Sequence, residues 1–193
     1  MVNTRFWRGG FTKALVLENP HSSLDTFLAE QGIAVERLNE APSSEAELVD
    51  VLRRGGHNLI FKRSAVEITE AVVEATPNLH AVMLCCIGDD SVDKVACAKH
   101  GVLVTNDPIS NGRSVAEMVL GEMICMGRRI FDAYDETRVH RWQKDNKSRF
   151  ELQGKTLGVV GLGNIGKQVA TLCAALGMRI VFYDNREVAQ EVG

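Results

Sequence analysis

The sequence predicts an α/β protein: a parallel, doubly wound sheet, then a long helix, then the first βαβ unit of a second domain. Three observations predict it. Short apolar runs alternate with stretches whose apolar residues recur every three or four positions, the periods of strand and helix. Gly, Pro and Ser punctuate the boundaries, where caps and turns require them. Finally, a Gly-x-Gly-x-x-Gly string, Gly161 to Gly166, lies between a predicted strand and a predicted helix.

Residues 14–18 (ALVLE) are nearly all apolar, as a strand covered on both faces must be. The stretch Pro20-His21-Ser22-Ser23 interrupts the run and offers a serine to cap a helix over 24–30, which Gly32 ends. Residues 33–38 form the next strand. Ser43 or Ser44 caps a helix whose inward face is Ala46, Leu48, Val49, Val51 and Leu52, closed by Gly55-Gly56. Strand 58–61, helix 67–75, strand 80–86, helix 92–100 and strand 102–105 complete the cycle, giving a first domain over 12–107. Strands separated by helices imply parallel pairing.

From 113 to about 139 there is no proline, and Val115, Val119, Met123, Met126, Ile130 and Tyr134 line one helical face. At about 1.5 Å per residue such a helix reaches about 40 Å. It is either a long packed helix or a rod between domains. The polar tract 143–149 that follows, in place of a strand, favours the rod, with a connecting segment at 108–142. Trp142 and Phe150, flanking that tract, are expected to be anchored. Strand 157–161, helix 165–176 and strand 179–184 then form one βαβ unit, the start of a second domain at 150–193. A single unit leaves a sheet edge and apolar positions such as Leu172 and Leu176 uncovered.

Composition narrows the function classes. The 193 residues are 45% hydrophobic and 24% charged, with a net charge of -3. No basic footprint suggests nucleic acid. The five cysteines lie mostly in apolar runs, as buried reduced thiols do, and adjacent Cys85 and Cys86 on a strand would face opposite ways. No Cys or His spacing suggests a metal. The N-terminal MVNTRFWRGG lacks the apolar core of a signal peptide, and no apolar run approaches the about 20 residues that a membrane span needs. A cytoplasmic location is expected, with no membrane partner.

The glycine string meets three contextual requirements: a strand before it, a helix after it, and the acid Asp184 at the end of the next strand. Gly161 permits the tight turn, Gly163 lets a pyrophosphate approach the backbone, and Gly166 allows close helix–strand packing. The amides of Asn164 and Ile165 then face an anion at the helix N-terminus. Asp184 is placed to accept the hydrogen bonds of the adenosine ribose and to repel a 2′-phosphate, which selects NAD over NADP. Arg186 is the residue that could accommodate that phosphate. The other reading is a structural turn with a polar strand end. Strand, helix, acid and three glycines together favour the dinucleotide.

Three blocks, CCIGDDSVD (85–93), NDPISNGRSVAE (106–117) and GKTLGVVGLGNIG (154–166), make the chain resemble the NAD-dependent D-2-hydroxyacid dehydrogenases. The likeness runs from Ala14 to about Asp184 and is nearest to the bacterial D-3-phosphoglycerate branch. It implies a flavodoxin-like substrate domain, a crossing helix and the first βαβ unit of a Rossmann NAD-binding domain, with a small 2-hydroxyacid as substrate. In such relatives the chain later returns to complete the substrate domain. KRSAVEIT (62–69) resembles the loop that holds the substrate's anionic groups, with Arg63 and Ser64 at matching positions. The branch often has a second arginine where Ala65 stands; losing that fork of donors weakens phosphate recognition, and Lys62 is the candidate substitute. By the same resemblance Gly88 and Asn111 contact substrate, and Val115 lies near the nicotinamide, whereas Arg113 and Glu117 belong to the helix end.

The family's substrate-polarising arginine, its acid–base histidine and the supporting glutamate are expected beyond Gly193. None of His21, His57, His80, His100 and His140 matches that histidine. The resemblance therefore implies oxidation of a D-2-hydroxyacid, most simply D-3-phosphoglycerate in serine biosynthesis, by a longer homo-oligomeric protein. A chain of this extent alone is expected to be inactive. The alternative is a non-catalytic NAD-binding or redox-sensing module.

Overall fold

The computed structural model describes residues 9–142, 144 and 146–185. The chain divides into two compact units, Met1–Pro108 and Ile109–Gly193. The first contains β1 (Lys13–Val16), α1 (Ser23–Glu30), β2 (Ala34–Arg37), α2 (Glu45–Gly55), β3 (Leu59–Lys62), α3 (Glu70–Ala75), β4 (Ala81–Leu84), α4 (Lys94–His100) and β5 (Leu103–Asn106). All strand pairs are parallel, in the order β2-β1-β3-β4-β5, the flavodoxin-like arrangement. In register, Leu15, Ile60 and Val82 line up on one sheet face and pack with Leu48, Leu52, Val72, Val73 and Cys97 of α2, α3 and α4. Ala14, Leu59 and Ala81 line up on the other face, where Leu28 of α1 joins them. Helices thus cover both faces, which is why β1 is apolar almost throughout.

Helix starts differ from the sequence expectation for local reasons. Ser22 stands before α1 in helical backbone and makes no side-chain cap; instead Ser23 N–H donates to His21 Nδ1 at 3.2 Å. Of the two serines before α2, Ser44 is the cap, its Oγ accepting Glu47 N–H at 3.3 Å. Glu47 in turn accepts the N–H and hydroxyl of Ser43 at 2.7 and 2.8 Å, a reciprocal arrangement like a capping box. Helix α3 starts at Glu70 rather than 67, and α4 at Lys94 rather than 92. Ile68 and Val92 are withdrawn into an isolated parallel bridge, so Thr69 and Asp93 become the caps.

The second unit contains α5 (Gly112–Arg128), α6 (Ile130–Arg138), β6 (Thr156–Val160), α7 (Asn164–Ala175) and β7 (Arg179–Tyr183), with β6 and β7 parallel. The single helix expected over 113–139 is in fact two. Arg129 sits in the left-handed region, φ 52 and ψ 48, and closes α5. The cause is non-local. Gly127 C=O, which a continuous helix would pair four residues on, accepts the N–H of Phe150 at 2.8 Å. The Phe150 ring lies against Gly127, where a Cβ would stand 3.2 Å from a ring carbon. Phe150 is thereby anchored as expected, whereas Trp142 is 83% exposed and is not.

Helix α5 is a packed element. Its Ala116 is buried with Val169, Cys173 and Met178, and Val119, Leu120 and Met123 pack around them. Leu172, expected to be uncovered, packs against the same cluster, while Leu176 stays exposed.

Two outcomes follow from this packing. Arg129→Gly removes the cost of a left-handed side chain, about 1–2 kcal/mol, against an exposed Asp132 ion pair worth at most about 1 kcal/mol. Chemical denaturation should show equal or greater stability, whereas a continuous helix would lose about 1 kcal/mol to glycine. Hydrogen bonds from Arg37 and Lys13 also hold the Asp25 and Glu36 carboxyls below their ordinary values. Their contribution is present above the ordinary carboxylate range and lost as pH falls through the lowered values. The urea midpoint should drop on acidification, and Asp25→Asn should flatten that drop.

Candidate functional site

In open parallel sheets ligands bind outside the carboxyl ends of the strands, where the strand order reverses. In the first unit that point lies between β1 and β3. Glu18 and Asn19, just after β1, both have positive φ, 60 and 53, a conformation that non-glycine residues adopt at a cost and that clusters at functional sites. The Glu18 carboxylate accepts Ala65 N–H at 3.0 Å and Val66 N–H at 2.8 Å. It thereby fastens the loop after β3. Arg63 and Ser64 are exposed on that loop. Gly88 is exposed on the loop after the adjacent β4, with open space where a Cβ would be. The structure thus brings Arg63, Ser64 and Gly88 to neighbouring strand ends.

Lys62 behaves differently from the expectation. It is fully buried, and its Nζ donates to Arg63 C=O at 2.6 Å and Ser91 Oγ at 2.7 Å. It does not stand in for the donors missing at Ala65, because it presents no group to solvent. Burial pushes its ammonium below the ordinary lysine value, partly offset by the charge of Glu18. Glu18 and the buried state of Lys62 were not read from the sequence. The available signal was a charged residue closing each apolar run, ALVLE and LIFK.

Of the histidines, His21 is exposed on the loop after β1 and engages Ser23 at the start of α1. His57 is buried, but it precedes β3, at the amino ends of the strands, with Nε2 3.1 Å from Glu36; burial lowers its pKa. Among the described residues one cluster has metal-ligand spacing, Glu70, Glu74 and His100, all exposed, and its Glu70 is held by Lys99 at 2.6 Å.

In the second unit, Gly161 adopts φ 88, the left-handed turn that glycine serves. Its N–H continues the ladder to Tyr183 C=O at 2.7 Å. Asp184 Oδ2 accepts Leu162 N–H at 2.7 Å, so the acid also clamps the turn itself. Gly163 precedes α7 in extended backbone, with no side-chain cap and open space at its Cβ position. The Asn164, Ile165 and Gly166 amides form the first turn of α7, whose dipole favours an anion there. Gly166 is required by contact, since a Cβ would collide with the Gly161 carbonyl and lie 3.3 Å from Val159.

Asn111 stands at the start of α5 without a side-chain cap, and Val115 is half-buried one turn on. A Cβ on Gly112 would be 2.9 Å from Gln168 and 3.8 Å from Ile165. The start of α5 therefore lies against the start of α7, which brings Asn111 and Val115 beside the glycine turn. Arg113 pairs with Glu117 along the helix. Arg186 lies outside the described residues.

Among the described residues no helix is long and apolar enough to cross a membrane. Residues 120–192 match the family model described as D-isomer specific 2-hydroxyacid dehydrogenase, NAD binding domain. The D-3-phosphoglycerate dehydrogenase of Dictyostelium discoideum is 35% identical over 172 residues, covering 89% of this chain and 42% of its own length. That of Escherichia coli strain K12 is 36% identical over 174 residues, with the same two coverages, 89% and 42%. The chain thus spans under half the length of these relatives. The crystal structure of the TT0316 protein from Thermus thermophilus superposes with a TM-score of 0.82 at 27% identity, over 93% of this chain and 58% of that one. A glycine turn clamped by an acid, the doubly wound first unit and these likenesses agree: the chain belongs to the D-isomer specific 2-hydroxyacid dehydrogenases and carries sequence of their NAD-binding domain.

Proposed function

We propose that the protein oxidises D-3-phosphoglycerate to 3-phosphohydroxypyruvate with NAD, as a cytoplasmic homo-oligomer. The carrying observation is the glycine turn that opens α7, with left-handed Gly161 and open space at the Gly163 Cβ position, clamped by Asp184 just after β7. In this reading the pyrophosphate sits on the Asn164, Ile165 and Gly166 amides, and Asp184 accepts the ribose hydroxyls while holding Leu162. Val115 borders the nicotinamide.

Arg63 and Ser64, with the backbone at Gly88, hold the anionic groups of the acid. The C2 hydrogen leaves as hydride to NAD and the hydroxyl proton passes to a base, giving the 2-keto acid. That base is none of the five histidines of this sequence, and no residue of it is assigned as the polarising arginine or its glutamate. Support for the phosphorylated substrate comes from the names of the relatives and from exposed Arg63. Exposed Met118, Met126, Ile130, Phe131 and Tyr134 on α5 and α6 support assembly through the second unit.

The protein as produced in its native cell, mixed with NAD and D-3-phosphoglycerate, should generate NADH, read at its absorbance band. Turnover of glycerate or lactate alone would reject the phosphorylated substrate and implicate Ala65. NAD binding without turnover of any hydroxyacid would favour a sensing module.

Three variants probe the cofactor site. Asp184→Asn keeps an acceptor for Leu162 yet removes the charge, so the preference for NAD over NADP should fall about tenfold, or about 1.4 kcal/mol. Gly163→Ala should fold normally and lose NAD affinity by calorimetry. Gly166→Ala should instead lower stability by about 1–3 kcal/mol.

A further inference from the structure

Lys62 is an anomaly on energetic grounds. Removing an ammonium from water is costly even after relaxation, and an apolar residue would fill the same position at a strand end without that cost. Lys62 is nevertheless 0% exposed, and its hydrogen-bond acceptors are neutral, the Arg63 carbonyl and the Ser91 hydroxyl. These two acceptors belong to different loops. Arg63 follows β3, and Ser91 closes the loop after β4 that contains Gly88. Ser91 is itself tied down, its C=O accepting Ile68 N–H at 2.9 Å.

A second charge completes the arrangement. Glu18, on the loop after β1, accepts the consecutive amides of Ala65 and Val66, at a positive φ of 60. Three loops at the point of strand reversal are therefore fastened to one another by two charged side chains. Between the two fastenings lie Arg63 and Ser64, both exposed.

We propose that Lys62 and Glu18 are positioning residues that hold the Arg63–Ser64 backbone, and through Ser91 the Gly88 loop, in the geometry that receives the anionic substrate. This rests on the substrate reading given above. Lys62 acts through Arg63 and does not touch the acid. Its role is to remove the loop's freedom before binding, so that ordering the loop takes nothing from the affinity. Glu18 does the same for the two following peptides. The pair also explains how an anion loop with Ala65 in place of a second arginine keeps a defined shape: the loop is stiffened from beneath.

The test uses Lys62→Met, unbranched, uncharged and one atom shorter, and Ser91→Ala, which removes one acceptor and cannot disturb packing greatly. In the protein as produced in its native cell, Lys62→Met should raise the KM for the hydroxyacid about tenfold, the scale of a small misplacement of a binding group. Its kcat should stay within about twofold and its KM for NAD should be unchanged. Ser91→Ala should raise the acid KM by about threefold, a single lost hydrogen bond, and it decides the matter if Lys62→Met does not fold. A purely structural lysine would lower the active fraction, and so apparent kcat, with the acid KM unmoved; that result overturns the proposal.

Backbone hydrogen exchange gives a readout that does not need turnover. Either variant should accelerate exchange within 63–67 and 91–93, and leave α2 and α4 protected. Unchanged protection there overturns the frame. If the unaltered protein fails to oxidise D-3-phosphoglycerate, the substrate reading falls by itself, and exchange still decides whether Lys62 holds the loop; Glu18→Gln, read the same way at 65–66, decides it for Glu18.

Discussion

Parallel pairing is the constraint on which both units depend. Every strand in the two sheets runs the same way as its neighbours, so each connection must cross a face of the sheet before the next strand starts. Two consequences follow. The crossings bury both faces, which demands strands apolar on both sides and explains why Ala14, Leu15, Val16 and Leu17 are all fully buried. They also deliver every carboxyl end to the same edge. Residues far apart in sequence, such as Glu18, Lys62 and Ser91, can then meet there with no special folding of the loops themselves.

Element identity was readable because burial on both faces leaves a strong apolar run and helices leave their period. Boundaries were less readable wherever a partner distant in sequence decided them. Nothing near Ile68 announces that Val92 will pair with it, yet that bridge shortens two helices. Nothing in 113–139 announces that Phe150 will take the Gly127 carbonyl, yet that contact ends α5. The glycine turn was read well for the opposite reason. Gly161 and Gly166 answer to a turn and a collision within a few residues, which is information the local sequence contains.

Charged residues at strand ends were the weak point of the sequence reading, and the two units show why. A lysine or glutamate closing an apolar run most often reaches water. Lys62 and Glu18 turn inward: Glu18 accepts backbone amides of another loop, and Lys62 donates to the carbonyl of the next residue and to the Ser91 hydroxyl of another loop. Asp184 is intermediate: its strand-end position was read, but its bond to Leu162 N–H was not. In each case at least one partner is a peptide group, and peptide groups carry no residue-specific mark in a sequence.

This preference for peptide partners bears on specificity. In the second unit the proposed anion site is built from α7 amides, which would hold an anion through backbone donors that only proline removes; selectivity would then be left to Asp184. In the first unit the proposed anion site has exposed Arg63 as its guanidinium, with no second one at Ala65. A loop with one guanidinium fixes an anion's position less completely than one with two forks. Orientation must then come from the backbone, and a backbone can orient a ligand only if it is itself immobile. Two buried or half-buried charges fastened to four loop groups are the contacts that would restrict it. On the proposed substrate reading the buried ammonium and the absent second arginine are linked: a loop fastened through its backbone would supply the definition that a second fork would otherwise provide.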